Sequence, residues 1–134
     1  MRAIVIKQFG GLDGLVIEKL PDPVPQRGFV LIEVKAFGIN SAETHMRKGD
    51  WAEAALVSGI ECVGLVESCP GGEFAVGTKV AAFMGGMGRT INVDKVAKGI
   101  YKAKPARVFQ FDDIRQAHEA MESNQSNGKM VVRI

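Results

Sequence analysis

Residues 40–51 contain several side chains whose types can take part in chemistry. The carboxamide of Asn40 can donate a hydrogen bond to an oxygen that gains negative charge. The imidazole of His45, five residues further on, can supply a proton near neutral pH. Each residue also has a structural interpretation, because Asn40 can cap a helix and His45 can lie on the exposed face of that helix. Both are therefore candidate catalytic residues with a structural alternative.

Two further residues in this stretch are candidates for lining a substrate cleft. Arg47, next to Lys48, can attract a phosphate or an anionic substrate, although a solvated helix end is the simpler interpretation. Trp51 is suited to a cleft wall, and packing alone explains it equally well. The sequence leaves these alternatives open.

Four other polar or reactive residues are given structural interpretations. Glu61 is expected to make a buried hydrogen bond rather than to act in catalysis, and His118 is expected to be partly buried in the core. Two cysteines do not make a disulfide framework, so Cys62 and Cys69 are expected to pack as small apolar residues. A redox pair is the less favoured alternative.

The elements around these residues are predicted to be mainly short β-strands. Alternating or continuous apolar runs bounded by turn residues predict strands at 3–6, 15–17, 29–36, 61–67, 79–84, 107–109 and 129–134. This pattern is typical of a barrel or a sandwich. Asn40 or Ser41 is expected to cap a helix that runs to about Lys48, with Gly49 as its left-handed terminator.

The last third of the chain is expected to be more helical. A short helix is predicted from residue 92 to about 97, and Asp112 is expected to cap a second helix with an apolar stripe at Ile114, Ala117 and Met121. The glycine-rich segment 85–88 is interpreted as a turn rather than a dinucleotide site. No βαβ unit is expected after it.

Length and composition are those of an ordinary globular domain. The chain has 134 residues, 46% hydrophobic and 24% charged, with a net charge of +2. This balance favours neither nucleic acid nor an anionic membrane as a partner. The sequence contains no long apolar run and no secretory signal pattern, so a cytoplasmic location is expected.

Several stretches occur in the order typical of one enzyme superfamily. They are residues 1–5 with 9–11, 31–36 with 38–40, 59–64, 76–81, 107–109 with 117–118 and 121–122, and 128–132. In combination they resemble the medium-chain dehydrogenase/reductase superfamily, and in particular its zinc-free quinone oxidoreductase branch, over nearly the whole chain. Each stretch alone is weakly specific.

The resemblance implies a fold and a reaction. The implied fold is mainly β, a GroES-like, partly open β-barrel with two or three short helices. The implied reaction is the NADPH-dependent reduction of a quinone or an α,β-unsaturated carbonyl, in which Asn40 faces the nicotinamide and the substrate. Protonation would come from solvent or from His45, which stands where quinone-reductase relatives often have a tyrosine. Arg89 is a further candidate for the cleft.

The resemblance also makes a prediction about metals. Zinc-dependent members place a cysteine after the third strand and a histidine just before a glutamate; the matching positions here are Asn40 and Ile60, with Glu61 retained. An amide oxygen is a poor zinc ligand, and isoleucine has no ligand atom. The chain's histidines and cysteines also lack a ligand spacing: His45, His118, Cys62 and Cys69. We therefore expect no metal.

Members of the superfamily normally carry a dinucleotide-binding domain between the two regions that match here. We expect one domain over residues 1–134, with an N-terminal portion at 1–90, a C-terminal return at 91–134 and no dinucleotide-binding domain between them. Such a chain would supply the substrate side of a reductase without tight NADPH binding or independent hydride transfer. The alternative is a non-catalytic or engineered stand-alone β-barrel that acts as a scaffold, binds a partner or self-associates through an exposed cleft face.

Overall fold

A computed structural model describes residues 1–51, 56–83, 89–92, 105–125 and 127–134. The glycine-rich segment 85–88 and most of the helix predicted up to residue 97 lie outside the described residues.

The described elements are mainly β-strands. The strands are β1 (Arg2–Ile6), β2 (Leu15–Lys19), β3 (Leu31–Ile39), β4 (Glu61–Ser68), β5 (Lys79–Phe83), β6 (Arg89–Asn92), β7 (Arg107–Gln110) and β8 (Met130–Arg133). Two α-helices are described, α1 (Ser41–Lys48) and α2 (Ile114–Glu122). Strands β1 and β2 form a hairpin, and the other six form a sheet in the order β6-β5-β4-β3-β8-β7. This mainly β architecture, with open sheets and short helices, confirms the predicted fold class.

The large sheet has one buried and one more exposed face, as the alternation along β4 illustrates. Cys62, Gly64 and Val66 are buried, whereas Val63 and Glu67 are exposed. Strand residues point alternately to the two faces of a sheet, so the apolar residues at even positions build the interior. Register shifts interrupt the β3–β4 pairing between Leu31 and Ile32 and again between Val34 and Ala36.

The core lies between the hairpin, α2 and the inner face of the sheet. Ile114 and Ala117 of the predicted apolar stripe are buried, and Met121 packs against the same cluster while partly exposed. The helix begins one residue later than expected, because residues Phe111–Asp113 form a 3₁₀ turn ahead of it. The other buried members of the cluster are Ile4, Ile6, Leu15, Ile39, Met46, Phe109, Phe111, Ala120, Met130 and Val132.

Two expectations about the last third of the chain are wrong. Asn92 is not the start of a helix but the end of β6, which pairs antiparallel with β5 from Val80↔Asn92 to Phe83↔Arg89. In addition, β7 and β8 are parallel neighbours with α2 between them in sequence, so they form a βαβ unit. The β7-to-α2 turn, Phe111–Asp113, contains no glycine and so lacks the dinucleotide-binding fingerprint.

None of the helices in the described part of the chain combines the length and the apolar character needed to cross a membrane.

Candidate functional site

Asn40 lies at the junction of β3 and α1, where the backbone changes from extended to helical. Its backbone is extended (φ −127°, ψ 160°), and its N–H donates to Glu43 Oε2 at 2.9 Å. Gly49 closes the helix in the left-handed conformation at φ 89°. The predicted helix, with Asn40 at its N-cap position and Gly49 as its terminator, is therefore confirmed, and the hydrogen bond to Glu43 fixes the backbone position of Asn40.

Glu43 supports this junction from inside the protein. Its side chain is almost fully buried, and burial raises the pKa of the carboxyl group. Hydrogen bonds from the backbone of Asn40 and of Ile60 oppose that rise because they stabilise the carboxylate. Glu43 thus links the start of α1 to the segment that leads into β4.

The side chain of Asn40 points towards Lys129, next to the start of β8. Lys129 Nζ donates to Asn40 Oδ1 at 2.6 Å, and the same ammonium forms an ion pair with Glu61 Oε1. An ammonium has no acceptor, so the atom facing it must be the amide oxygen. The amide nitrogen lies 3.5 Å from Glu43 Oε1, a long contact, and it retains capacity to donate elsewhere.

Gly38 provides the room for the ion pair between Lys129 and Glu61. Gly38 pairs with Val131 across β3 and β8, directly beneath the two charged side chains. A Cβ at this position would lie 2.7 Å from Lys129 Nζ and would overlap Glu61 Oε1. The absence of a side chain at Gly38 therefore lets the ion pair lie close against the sheet.

A shallow, mainly apolar depression adjoins this pair on the outer face of the sheet. Its lining consists of residues from β3, β4, β5 and β8: Ala36, Phe37, Gly38, Glu61, Cys62, Val63, Ala81, Ala82, Phe83 and Val131. Glu61 is the charged member of this lining. Through Glu61 the depression adjoins the Lys129 ammonium.

His45 and Asn40 belong to separate hydrogen-bonding groups among the described residues. His45 Nδ1 lies 2.9 Å from Asp50 Oδ2, and the His45 side chain is 60% exposed. The structure thus places the two candidate catalytic residues on one helix without bringing their side chains together.

Arg47 was expected either to line the substrate cleft or to lie at a solvated helix end. Both expectations are wrong, because its side chain faces the interior. The residue is 1% exposed, and its guanidinium donates to the carbonyl oxygen of Gly10 and to Glu122. Burial would raise the pKa of Glu122, but a hydrogen bond from Lys48 and the charge of Arg47 outweigh it and lower that pKa. Arg47 therefore holds α1 against α2 rather than lining an open cleft.

His118 lies beside Arg47 and is more deeply buried than the sequence predicts. The residue is 0% exposed, and neither ring nitrogen has a hydrogen-bond partner among the described residues. Desolvation lowers the pKa of His118 to about 4, the charge of Arg47 adds to this effect, and Glu122 partly offsets it. The imidazole is neutral at pH 7 and acts as part of the core.

The other two candidates for lining the cleft are Trp51 and Arg89. Trp51 follows α1 and is 45% exposed. Arg89 begins β6, where its backbone pairs with Phe83. The structure describes only the backbone of Arg89. Phe83 itself lines the depression.

The described residues do not fit a zinc ion at the position where zinc-dependent relatives hold one. Asn40 Oδ1 already accepts a hydrogen bond from an ammonium, which would repel a cation, and Glu61 is paired with the same ammonium. Nowhere in the described part of the chain do three or more His, Cys, Asp or Glu side chains come together in a metal-binding group.

Lys129 and Gly38 belong to the site although neither was predicted as a site residue. Lys129 is 89 residues from Asn40, and the two meet only because β8 pairs with the end of β3, from Ala36↔Arg133 to Ile39↔Met130. The predicted strand ended at residue 36, so Gly38 was not recognised as a glycine inside β3, where a glycine often marks close approach by another group.

Comparisons with known proteins identify relatives of this chain. The alcohol dehydrogenase GroES-like domain profile matches residues 26–109. The mouse synaptic vesicle membrane protein VAT-1 homolog-like is 37% identical over 89 residues, which cover 63% of this chain and 21% of that protein. Mouse quinone oxidoreductase is 38% identical over 90 residues, which cover 64% of this chain and 25% of that protein.

A solved structure extends the likeness to the fold. Escherichia coli quinone oxidoreductase, complexed with NADPH, superposes with a TM-score of 0.57 and 21% identity over 82% of this chain and 44% of that one. The chain therefore matches only about a fifth to a half of the length of these relatives. On the family match, the chain belongs to the alcohol dehydrogenase GroES-like domain family, in the medium-chain dehydrogenase/reductase superfamily that includes quinone oxidoreductases.

Proposed function

We propose that this chain supplies the substrate side of a zinc-free, NADPH-dependent quinone or enone reductase site. The observation that carries the proposal is the Asn40 carboxamide. Lys129 holds its oxygen, so its nitrogen can donate, and the ion pair between Lys129 and Glu61 connects it to the apolar depression that Glu61 lines. The names of the mouse and Escherichia coli relatives support the substrate class, and the NADPH complex of the latter supports the cofactor.

In this proposal Asn40 stabilises charge on the substrate oxygen. NADPH, when bound, supplies a hydride to a carbon conjugated with the carbonyl group, and negative charge then develops on the oxygen. The Asn40 Nδ2–H donates to that oxygen from a backbone position fixed by the helix cap. The apolar lining orients the ring of the acceptor and limits its contact with water.

His45 and solvent are the proposed sources of the proton that completes the reaction. The imidazole is exposed and its Nδ1 is oriented by Asp50, so it can exchange protons with water. The separation between the His45 and Asn40 hydrogen-bonding groups favours delivery through solvent over direct transfer to the substrate oxygen.

We further propose that the 134-residue chain alone does not transfer hydride. Residues 93–106 separate β6 from β7, whereas a single βαβ unit of a dinucleotide-binding domain needs roughly 30 residues. Without such a domain the chain has no means of orienting the nicotinamide against the acceptor, and that orientation provides much of the rate. Residues 1–134 thus act as one substrate-side domain in this proposal.

The test measures turnover and ligand binding separately on the purified chain. Loss of NADPH absorbance in the presence of a soluble quinone is expected to equal the protein-free rate, and turnover above that rate would overturn the claim of inactivity. Cyclohexanone is a suitable carbonyl probe because it cannot alkylate cysteine. It is expected to perturb the Asn40 side-chain amide in NMR titrations, and equal binding by Asn40→Ala would overturn the substrate-side role.

A second candidate function, self-association, is favoured by the outer face of the sheet. Val63 and Phe83 are each 44% exposed on neighbouring strands, and Val108 of the edge strand β7 is also exposed. Apolar residues grouped on one face favour association with a second copy of the chain. Light scattering across a concentration series is expected to detect a dimer, which Val63→Lys should dissociate; a monomer at the highest concentration would exclude this function.

A further inference from the structure

We propose that Lys129 is a positioning residue that fixes the orientation of the Asn40 carboxamide and strengthens its N–H donor. This inference deepens the proposed function and rests on it for its catalytic meaning. Its geometric basis is the contact of 2.6 Å between Lys129 Nζ and Asn40 Oδ1.

The Asn40 carboxamide has two possible orientations. A carboxamide rotated by half a turn exchanges its oxygen and nitrogen, which differ little in size. The cap fixes the backbone of Asn40 but leaves this rotation open, since Glu43 accepts mainly from the backbone nitrogen. Lys129 removes the ambiguity because its ammonium can only donate, so it favours the orientation in which Oδ1 faces it. The opposite orientation would present an acceptor to a substrate oxygen and repel it.

Lys129 also affects the strength of the Asn40 Nδ2–H as a hydrogen-bond donor. Hydrogen bonds in a chain polarise one another, by about 10–30% for each bond. A cationic donor on Oδ1 draws electron density from the amide and makes the Nδ2–H a stronger donor. Lys129 therefore acts on the substrate through Asn40.

Neighbouring residues of the sheet hold the Lys129 side chain in place. Glu61 pairs with the ammonium from β4, and Gly38 leaves the space that both charged groups occupy. The Lys129 side chain is 43% exposed, so the ion pair by itself contributes little to the free energy of unfolding. Loss of Lys129 is thus expected to affect the Asn40 amide more than it affects the fold.

The experiment compares Lys129→Met and Lys129→Arg in the complete 134-residue chain, labelled with ¹⁵N and ¹³C and studied without ligand. The side-chain Cγ and NH₂ resonances of Asn40 are expected to move in Lys129→Met and to stay near their wild-type positions in Lys129→Arg. Lys35→Met is the matched control, because Lys35 forms an exposed ion pair with Glu33 on β3. Asn40 resonances that are unchanged in a folded Lys129→Met protein would overturn the inference, as would changes of equal size in Lys129→Arg.

A cyclohexanone titration then tests the link to the proposed function. Lys129→Met is expected to weaken binding at Asn40 by up to about tenfold, the equivalent of the one hydrogen bond that a wrongly oriented amide cannot donate. Asn40→Ala is expected to lose as much, and the double variant no more than either. If the wild-type chain binds no cyclohexanone at Asn40, the proposed function fails, while the ligand-free resonances still decide the role of Lys129.

Discussion

The buried guanidinium of Arg47, in the last turn of α1, pairs with Glu122 at the end of α2, 75 residues later in the chain. The same guanidinium donates to the carbonyl oxygen of Gly10, just beyond β1. One side chain thus joins the helix that begins at Asn40 to the hairpin region and to the C-terminal βαβ unit. The position of the candidate site depends on this interior contact.

Replacing Arg47 is therefore expected to destabilise the fold. Removing one partner of a buried ion pair leaves the other uncompensated, which costs about 3–5 kcal/mol when both are buried. The Glu122 side chain is 26% exposed, so we expect a smaller loss than this range, about 2–3 kcal/mol, for Arg47→Met in urea denaturation. Lys48→Met is the control, because Lys48 contacts the same carboxylate from an exposed position and should cost no more than about 1 kcal/mol. Equal losses in both variants would contradict the role given to Arg47.

The buried His118 predicts a pH dependence of stability. Its pKa is lowered from 6.5 to about 4 in the folded chain, chiefly by desolvation. Between these values the unfolded chain binds a proton that the folded chain does not, so the free energy of unfolding falls as the pH falls from 6.5 to 4. The expected loss is about 3 kcal/mol, and it is fully recovered above pH 6.5.

The measurement for His118 is urea denaturation at several pH values in wild type and in His118→Leu. Carboxyl groups contribute to acid destabilisation in both proteins, so the difference between the two slopes isolates His118. The variant is expected to lose the extra pH dependence between pH 6.5 and 4, whatever its stability at pH 7. Parallel curves for the two proteins would show that His118 keeps an ordinary pKa.

The features that the sequence predicted correctly are mostly local. The cap at Asn40, the helix to Lys48 and the terminator at Gly49 depend on residues within one or two turns of each other, so spacing is sufficient to find them. The burial of Arg47 depends on Glu122, and the orientation of Asn40 depends on Lys129. Such partners are set by strand order and helix packing, which residue spacing does not encode.

The parallel pairing of β7 and β8 was also missed because strand order is not encoded in residue spacing. The strand β7, the helix α2 and the strand β8 were each predicted near their observed positions, but the parallel pairing of the two strands was not. Nothing in the apolar pattern of a short strand distinguishes a parallel neighbour from an antiparallel one. The end of β6 at Asn92 was missed because a four-residue strand with few apolar residues resembles the start of a helix.

The two cysteines are expected to differ in reactivity. Cys62 is buried in β4, and burial raises the pKa of its thiol, so little of the reactive thiolate is present. Cys69 is half-buried beyond the end of β4, with its thiol 3.1 Å from Glu73 Oε2. A disulfide-exchange reagent should label one thiol in the native chain and two in denaturant. Cys69→Ser should abolish the native labelling; native labelling of Cys62 in that variant would contradict its burial.

A single methyl group at Gly38 should separate the ion pair from Asn40 while the fold is retained. The three atoms nearest to a Cβ there belong to the ends of two flexible side chains, those of Lys129 and Glu61, which can turn into solvent. We therefore expect Gly38→Ala to change the free energy of unfolding by no more than about 1 kcal/mol and to move the Asn40 side-chain resonances as Lys129→Met does. Gly64→Ala is the contrasting variant, because a Cβ there would overlap the backbone oxygen of Glu33, which cannot turn away, and the sheet should be strongly destabilised. A Gly38→Ala protein with wild-type Asn40 resonances would mean that Lys129 reaches Asn40 without the space that Gly38 provides.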